Sequence, residues 1–97
     1  MNILPIAASS MTAASTAVAI RANNIVNVDT PGFQASAPVF QSQFNAGVAV
    51  FAQSTDQPVN LTLNVLGLKS ALQQYEASAA LVQAGIEQNK ALLSAVA

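Results

Sequence analysis

The chain has no cysteine, no histidine and no tryptophan, and of its 97 residues only 7% are charged and 5% aromatic. Without cysteine there is neither a disulfide framework nor a thiolate metal site, and thiol usage gives no reading of the redox compartment. Without histidine, zinc sites and triad chemistry that depend on imidazole are excluded. Three basic residues (Arg21, Lys69, Lys90) stand against four acidic ones (Asp29, Asp56, Glu76, Glu87), a net charge of -1. No basic footprint for nucleic acid or an anionic lipid surface exists. The acids are dispersed, and no pair is spaced to set two carboxylates on one helix face for acid-base catalysis. An enzyme is the least favoured class, and neither a cofactor nor a small-molecule substrate is expected.

What is present is apolar and small. Hydrophobic side chains make up 53% of the chain, whereas a typical globular protein carries roughly 25% charged residues. So few charges cannot give an isolated molecule a well-solvated surface, and something else must cover it. The length suits one domain, residues 1–97, near the size at which a single core becomes marginal.

No charged side chain precedes Arg21, which raises the question of a signal peptide or a membrane span. A signal peptide needs its basic residue before the apolar stretch, and here it comes after. A spanning helix needs about 20 predominantly apolar residues; Ser9, Ser10, Thr12, Ser15 and Thr16 interrupt this one. Membrane insertion and cleavage of a leader are both disfavoured.

Proline and glycine divide the chain into three zones. Residues 3–28 contain no glycine and only Pro5, tolerable in a first helical turn where its missing N–H would be unbonded. Leu4, Ala7, Met11, Ala14, Val18, Arg21, Ile25 and Val28 follow alternating steps of three and four, the spacing of a coiled-coil seam with one polar interruption. Asp29-Thr30-Pro31-Gly32 ends this helix: the residue before proline is pushed to extended geometry, and Pro-Gly suits the centre of a type II turn. Residues 29–59 form a connecting segment without helical period. Within it Val39–Phe44 and Val48–Gln53 flank Asn45-Ala46-Gly47, a candidate short hairpin over 39–53.

Residues 60–96 carry the longest pattern. Leu61, Val65, Leu68, Leu72, Tyr75, Ala79, Val82, Ile86, Asn89, Leu93 and Val96 keep the same heptad spacing, with Asn89 the one polar member. The predicted helix is roughly 50 Å long. Asn60 or Thr62 suits its N-cap, while Gly67 and Gly85 inside it each cost about 1 kcal/mol relative to alanine. Beside the seam lie narrow rows: Leu63, Ser70, Ala77, Ala84, Ala91, and Ala71, Ser78, Gly85. An exposed face would carry Lys and Glu there; small residues instead let other helices approach. The predicted fold is mainly α: two long helices in an antiparallel coiled-coil hairpin, joined by an irregular or short β-hairpin segment. One seam per helix buries too little to order the whole chain, so association is expected to supply the remainder.

Asn23, Asn24 and Asn27 allow two readings, amides bonding between subunits or ordinary helix-end asparagines. Arg21 can meet Glu76 or Glu87 across the hairpin, or extend to water over a packed stem. Tyr75 reads as a core filler whose hydroxyl reaches a polar partner, and Asn89 as a residue that fixes register or lies in a frayed last turn.

Residues 22–35, ANNIVNVDTPGFQA, resemble the N-terminal signature of the bacterial flagellar axial proteins, the rod, hook and junction subunits. Ala22, Asn23, Asn24, Ile25, Asn27, Thr30, Pro31, Gly32 and Phe33 match it; Val26 stands where the family commonly has alanine. Val59-Asn60-Leu61, Tyr75-Glu76-Ala77-Ser78-Ala79 and the leucine-rich Ala91-Leu92-Leu93 resemble landmarks of the family's C-terminal helix, though Gln73 and Gln74 replace its usual arginine. The resemblance implies a structural subunit of the basal-body rod in the periplasm. Its terminal helices would pair and self-assemble with copies of itself and with other axial proteins, and export would follow the flagellar type III route without a cleaved signal. A family turn motif (Asn23, Asn24, Asn27, Thr30, Pro31, Gly32, Phe33) and an assembly seam (Met11, Val18, Ile25, Leu61, Val65, Leu68, Leu72, Tyr75, Val82, Ile86, Leu93) are its expected working residues. Two alternatives stay open: a non-axial flagellar paralogue, and a small soluble helical oligomer serving as an adaptor or binding module.

Overall fold

A computed structural model describes residues 3–44 and 47–96. Four elements follow one another: α1 (Ile3–Val26), β1 (Ser36–Gln43), β2 (Gly47–Ser54) and α2 (Leu61–Val96). Both helices match the expected zones, α1 stopping two residues early. The chain leaves it through bonds from Asn27 N to the Asn23 and Asn24 carbonyls and from Val28 N to Ile25 O. Phe33 N then donates to Thr30 O at 3.2 Å across Pro31-Gly32, and Gly32 has φ +77°, the left-handed value that a type II turn requires at its third position.

The hairpin is antiparallel, with Ser36 opposite Ser54 and Gln43 opposite Gly47. It begins three residues before the expected Val39 and takes in Pro38. Thr55 N donates to Ala35 O, so the alternation of an antiparallel ladder makes the 35/55 and 37/53 positions bonded and 36/54 and 38/52 non-bonded. Pro38 therefore lacks an N–H the ladder does not use, and Ser36 turns its own N–H and C=O outward. Asn45 and Ala46 of the expected loop lie outside the described residues. The hairpin rests on α1: Ser9 Oγ accepts from Val48 N at 3.2 Å and donates to Ile6 O at 2.8 Å. Gly47 (φ +88°) lies against this hydroxyl, where a Cβ would overlap Ser9 Oγ.

The helices run in opposite directions along each other, Gly67 against Arg21 and Gly85 against Leu4 and Ile3. With 24 residues in α1 and 36 in α2, residues 86–96 continue past Ile3, the first described residue of α1. The molecule is correspondingly long, 62 × 24 × 14 Å, with a radius of gyration of 17.0 Å against about 12.5 Å for a compact chain of this length. Its accessible surface of 6535 Å² exceeds the roughly 5,200 Å² expected of a folded monomer of its mass.

By length and composition α1 is apolar enough to cross a membrane. Four of the five hydroxyls expected to spoil such a span bond back into the helix: Ser9 and Ser10 to Ile6 O, Thr12 to Ala8 O and Thr16 to Thr12 O. One stripe of the same helix, which includes Ala7, Ala13, Ala14 and Ala17, is buried within the protein.

Candidate assembly interface

The core is built of the smallest side chains. Among the described residues its buried apolar members are Ala7, Ala13, Ala14, Ala17, Ala35 and Ala71, and the largest fully buried side chain is Asn24. On α2 the buried positions are Asn64, Ala71, Ser78 and Gly85, each seven residues from the next. A row at that spacing stays on one face of a helix with a slow drift. This row faces α1, and its small side chains let the two backbones come close. Gly85 shows how close: a Cβ there would lie 2.7 Å from Leu4 Cδ2.

The heptad row of large residues does not form this contact. On α2, Leu68 and Val82 are half-buried at its margin, whereas Leu61, Val65, Leu72, Tyr75, Ile86 and Leu93 are exposed. At 100° per residue the large row is centred roughly 80° around the helix from the small one. The expectation that a hairpin buries the large α2 seam against α1 is thus corrected: close approach by alanine, serine and glycine occupies the facing side. Leucine there would hold the helices apart, so leucine is turned aside. The α1 seam is different, for Ala7 and Ala14 are buried, and Met11, Val18 and Ile25 are half-buried. Among the large apolar side chains left open are Leu66 at 61%, Leu93 at 67% and Val96 at 82% exposure.

One end of the helix pair is joined by polar atoms. Asn24, wholly buried, donates through Nδ2 to Ser36 O and to Asn64 Oδ1, both at 2.7 Å, and accepts from Ser36 N at 3.0 Å through Oδ1. Ser36 can take both bonds because its backbone groups point out of the ladder. Asn64 Oδ1 also accepts from Arg21 Nη1 at 3.2 Å, and Asn64 Nδ2 donates to Asn60 O at 2.8 Å. Flipping either amide would set donor against donor, so the network fixes both orientations. Asn60 Oδ1 caps α2 by accepting from Leu63 N at 3.0 Å.

The turn motif therefore divides. Asn24 binds α1, β1 and α2 together, a role that neither reading of the asparagine cluster contained. Asn27 and Asn23 act locally: Asn27 Nδ2 donates to Asn23 O at 2.9 Å, and Thr30 Oγ1 donates to Asn27 Oδ1 at 3.1 Å. Pro31 and Gly32 make the turn, with Phe33 half-buried beside it. Arg21 lies over Gly67, where a Cβ would meet Nε at 2.5 Å, and bonds Asn64 in place of the acids considered for it. Asn64 itself was not foreseen, although the narrow row Ala71, Ser78, Gly85 extended back by seven residues falls on it. Among the described residues no group of three or more His, Cys, Asp or Glu is placed to hold a metal ion.

A protein-family model described as flagella basal body rod protein matches residues 4–34, which is α1 and the turn that ends it. Over that segment, about a third of its length, the chain is similar to flagellar basal-body rod proteins. It covers every residue of the turn motif, including Asn24 at the polar junction. The landmarks in α2 lie outside the matched segment and stand on resemblance alone. Comparison with curated proteins gives no match.

Proposed function

We propose that the protein is a structural subunit of the flagellar basal-body rod, and that it works by helix-to-helix self-assembly. The observation that carries this reading is the row of large apolar side chains along α2, left open beside a contact made of alanine, serine and glycine. An alanine returns little on burial, whereas a fully buried leucine or isoleucine contributes about 1.5–3 kcal/mol. The stronger apolar side chains thus remain available for neighbouring molecules, copies of this chain or other axial subunits, with which the α2 row would form coiled-coil contacts. Contacts that repeat from copy to copy without closing generate a tube or filament. Such a unit would be exported by the flagellar type III route and placed in the periplasmic rod.

Two measurements test the reading. Deletion of the gene should abolish or impair motility, and the protein should cofractionate with isolated basal bodies; normal flagella in the deletion strain would refute it. Purified protein should sediment as a concentration-dependent series of growing species. A single closed dimer or tetramer at all concentrations would favour a soluble adaptor instead.

A further inference from the structure

An interface of small residues repeating every seven positions has a weakness: it looks nearly the same after a slide of seven. Sliding α2 by one heptad, about 10.5 Å, so that Ala71 replaces Asn64 opposite Asn24, would put Ser78 where Ala71 stood and Gly85 where Ser78 stood. Alanine, serine and glycine differ too little in shape to oppose this. The slide also brings Leu92 to the place where Gly85 meets Leu4 and Ile3, where a Cβ would lie 2.7 Å from Leu4 Cδ2, so this far end admits it only if those side chains give way. From Asn64 to Ser78 the small row itself does little to select the observed alignment, and in the cysteine pair below that reports the slid register neither Leu4 nor Leu92 remains to oppose the slide at the Gly85 end.

We infer that Asn24, Asn64 and Arg21, with the notch at Gly67, form a register lock that selects one alignment of α2 along α1. The lock sits where the small row ceases to repeat. After a one-heptad slide Asn24 would face Ala71, and its Nδ2, now sharing bonds between Ser36 O and Asn64 Oδ1, would lose one acceptor inside the protein. A buried polar group left unpaired is costly. Arg21 would lose its bond to Asn64 and meet the longer Gln74 in place of Gly67, which today leaves room for its guanidinium. A slide the opposite way would bring residue 57, outside α2, opposite Asn24. Polar groups at core positions fix register in paired helices when they can be satisfied in one alignment only. Here the satisfied set also includes the backbone of Ser36, so the lock fixes the base of the hairpin with the same atoms. The inference stands whether or not the protein belongs to a rod, since it concerns one chain.

The absence of cysteine makes the alignment directly readable. Leu4→Cys with Gly85→Cys reports the observed register, and Leu4→Cys with Leu92→Cys reports the slid one, scored as intramolecular disulfide in dilute protein. The otherwise unchanged sequence should form the first product at least ten-fold over the second. Asn64→Ala should yield both products with helix content retained by circular dichroism. Asn64→Ala combined with Ala71→Asn moves the lock, and the 4–92 product should then dominate. Continued exclusive 4–85 product in a helical Asn64→Ala chain would overturn the inference. So would loss of helix in Asn64→Ala together with loss of both products, since the node would then serve stability alone. If the relocated variant alone fails to fold, the single variant decides.

Discussion

α2 carries two rows of residues that differ mainly in size, and the smaller row is inside. Asn64, Ala71, Ser78 and Gly85 are buried against α1, while Leu61, Val65, Leu72, Ile86 and Leu93 are exposed beside them. In an ordinary two-helix protein the larger side chains would close the core, because they remove more apolar area from water. The inversion teaches that this helix pair is shaped to be thin. Closely spaced backbones leave the leucines as a second surface, and polar connections join the pair at one end.

The comparison breaks most sharply at the polar end. Asn24→Ala removes the amide that serves Ser36 N, Ser36 O and Asn64 Oδ1, leaving the two backbone groups of half-buried Ser36 without that partner while Asn64 Oδ1 keeps its bond from Arg21. At about 1–3 kcal/mol for each group, the expected loss is about 2–6 kcal/mol. In a chain with an alanine core that is enough to unfold most molecules. Circular dichroism during urea titration measures it, and a midpoint within error of the unsubstituted chain would show that the node is not needed for stability.

Next in size is a direct exchange of the two characters. Ala71→Leu puts a large side chain into the small row, where α1 leaves no room for it, and overpacking of this kind costs about 1–3 kcal/mol. If instead Ala71→Leu stabilised the chain, the helices would be free to move apart and the thin contact would be incidental. A smaller change sharpens the polar end: Asn60→Ala removes the cap on Leu63 N and should lower stability by about 1 kcal/mol. Thermal melting resolves a shift of that size in a domain of this length.

Much of this was legible in the order of residues, for identifiable reasons. The helix limits follow from Pro31-Gly32 and Pro58, which punctuate an otherwise helical pattern, and the α1 seam was readable because its alanines and large residues share one spacing. The strands were placed late because Pro38 reads as a breaker until the ladder parity is known. The row of α2 that faces α1 shows in the sequence as Ala71, Ser78 and Gly85, and on its own it reads as a surface for close approach of other helices. Its occupant is the chain's own α1, which periodicity cannot reveal, since a heptad search weights leucine over glycine. Asn64 escaped because a lone asparagine in a helix reads as surface. Its meaning depends on Arg21, Asn24 and Ser36, which are distant in sequence.

The smallest expected effect on stability falls on the exposed row, and it is the one that separates the two faces of α2 by function. Leu72→Lys and Leu93→Lys replace exposed side chains that have little to lose within one chain, so each should change stability by less than about 0.5 kcal/mol. If the proposed assembly runs through those side chains, a lysine placed in such a contact must be desolvated without a partner. The pair of substitutions should therefore leave the melting curve of dilute protein unchanged and abolish concentration-dependent sedimentation and restoration of motility to the deletion strain. Glutamine at both positions, polar but uncharged, should produce a partial loss. If both charged variants assemble like the original chain, the large row is not the assembly surface and the inversion of sizes on α2 needs another cause.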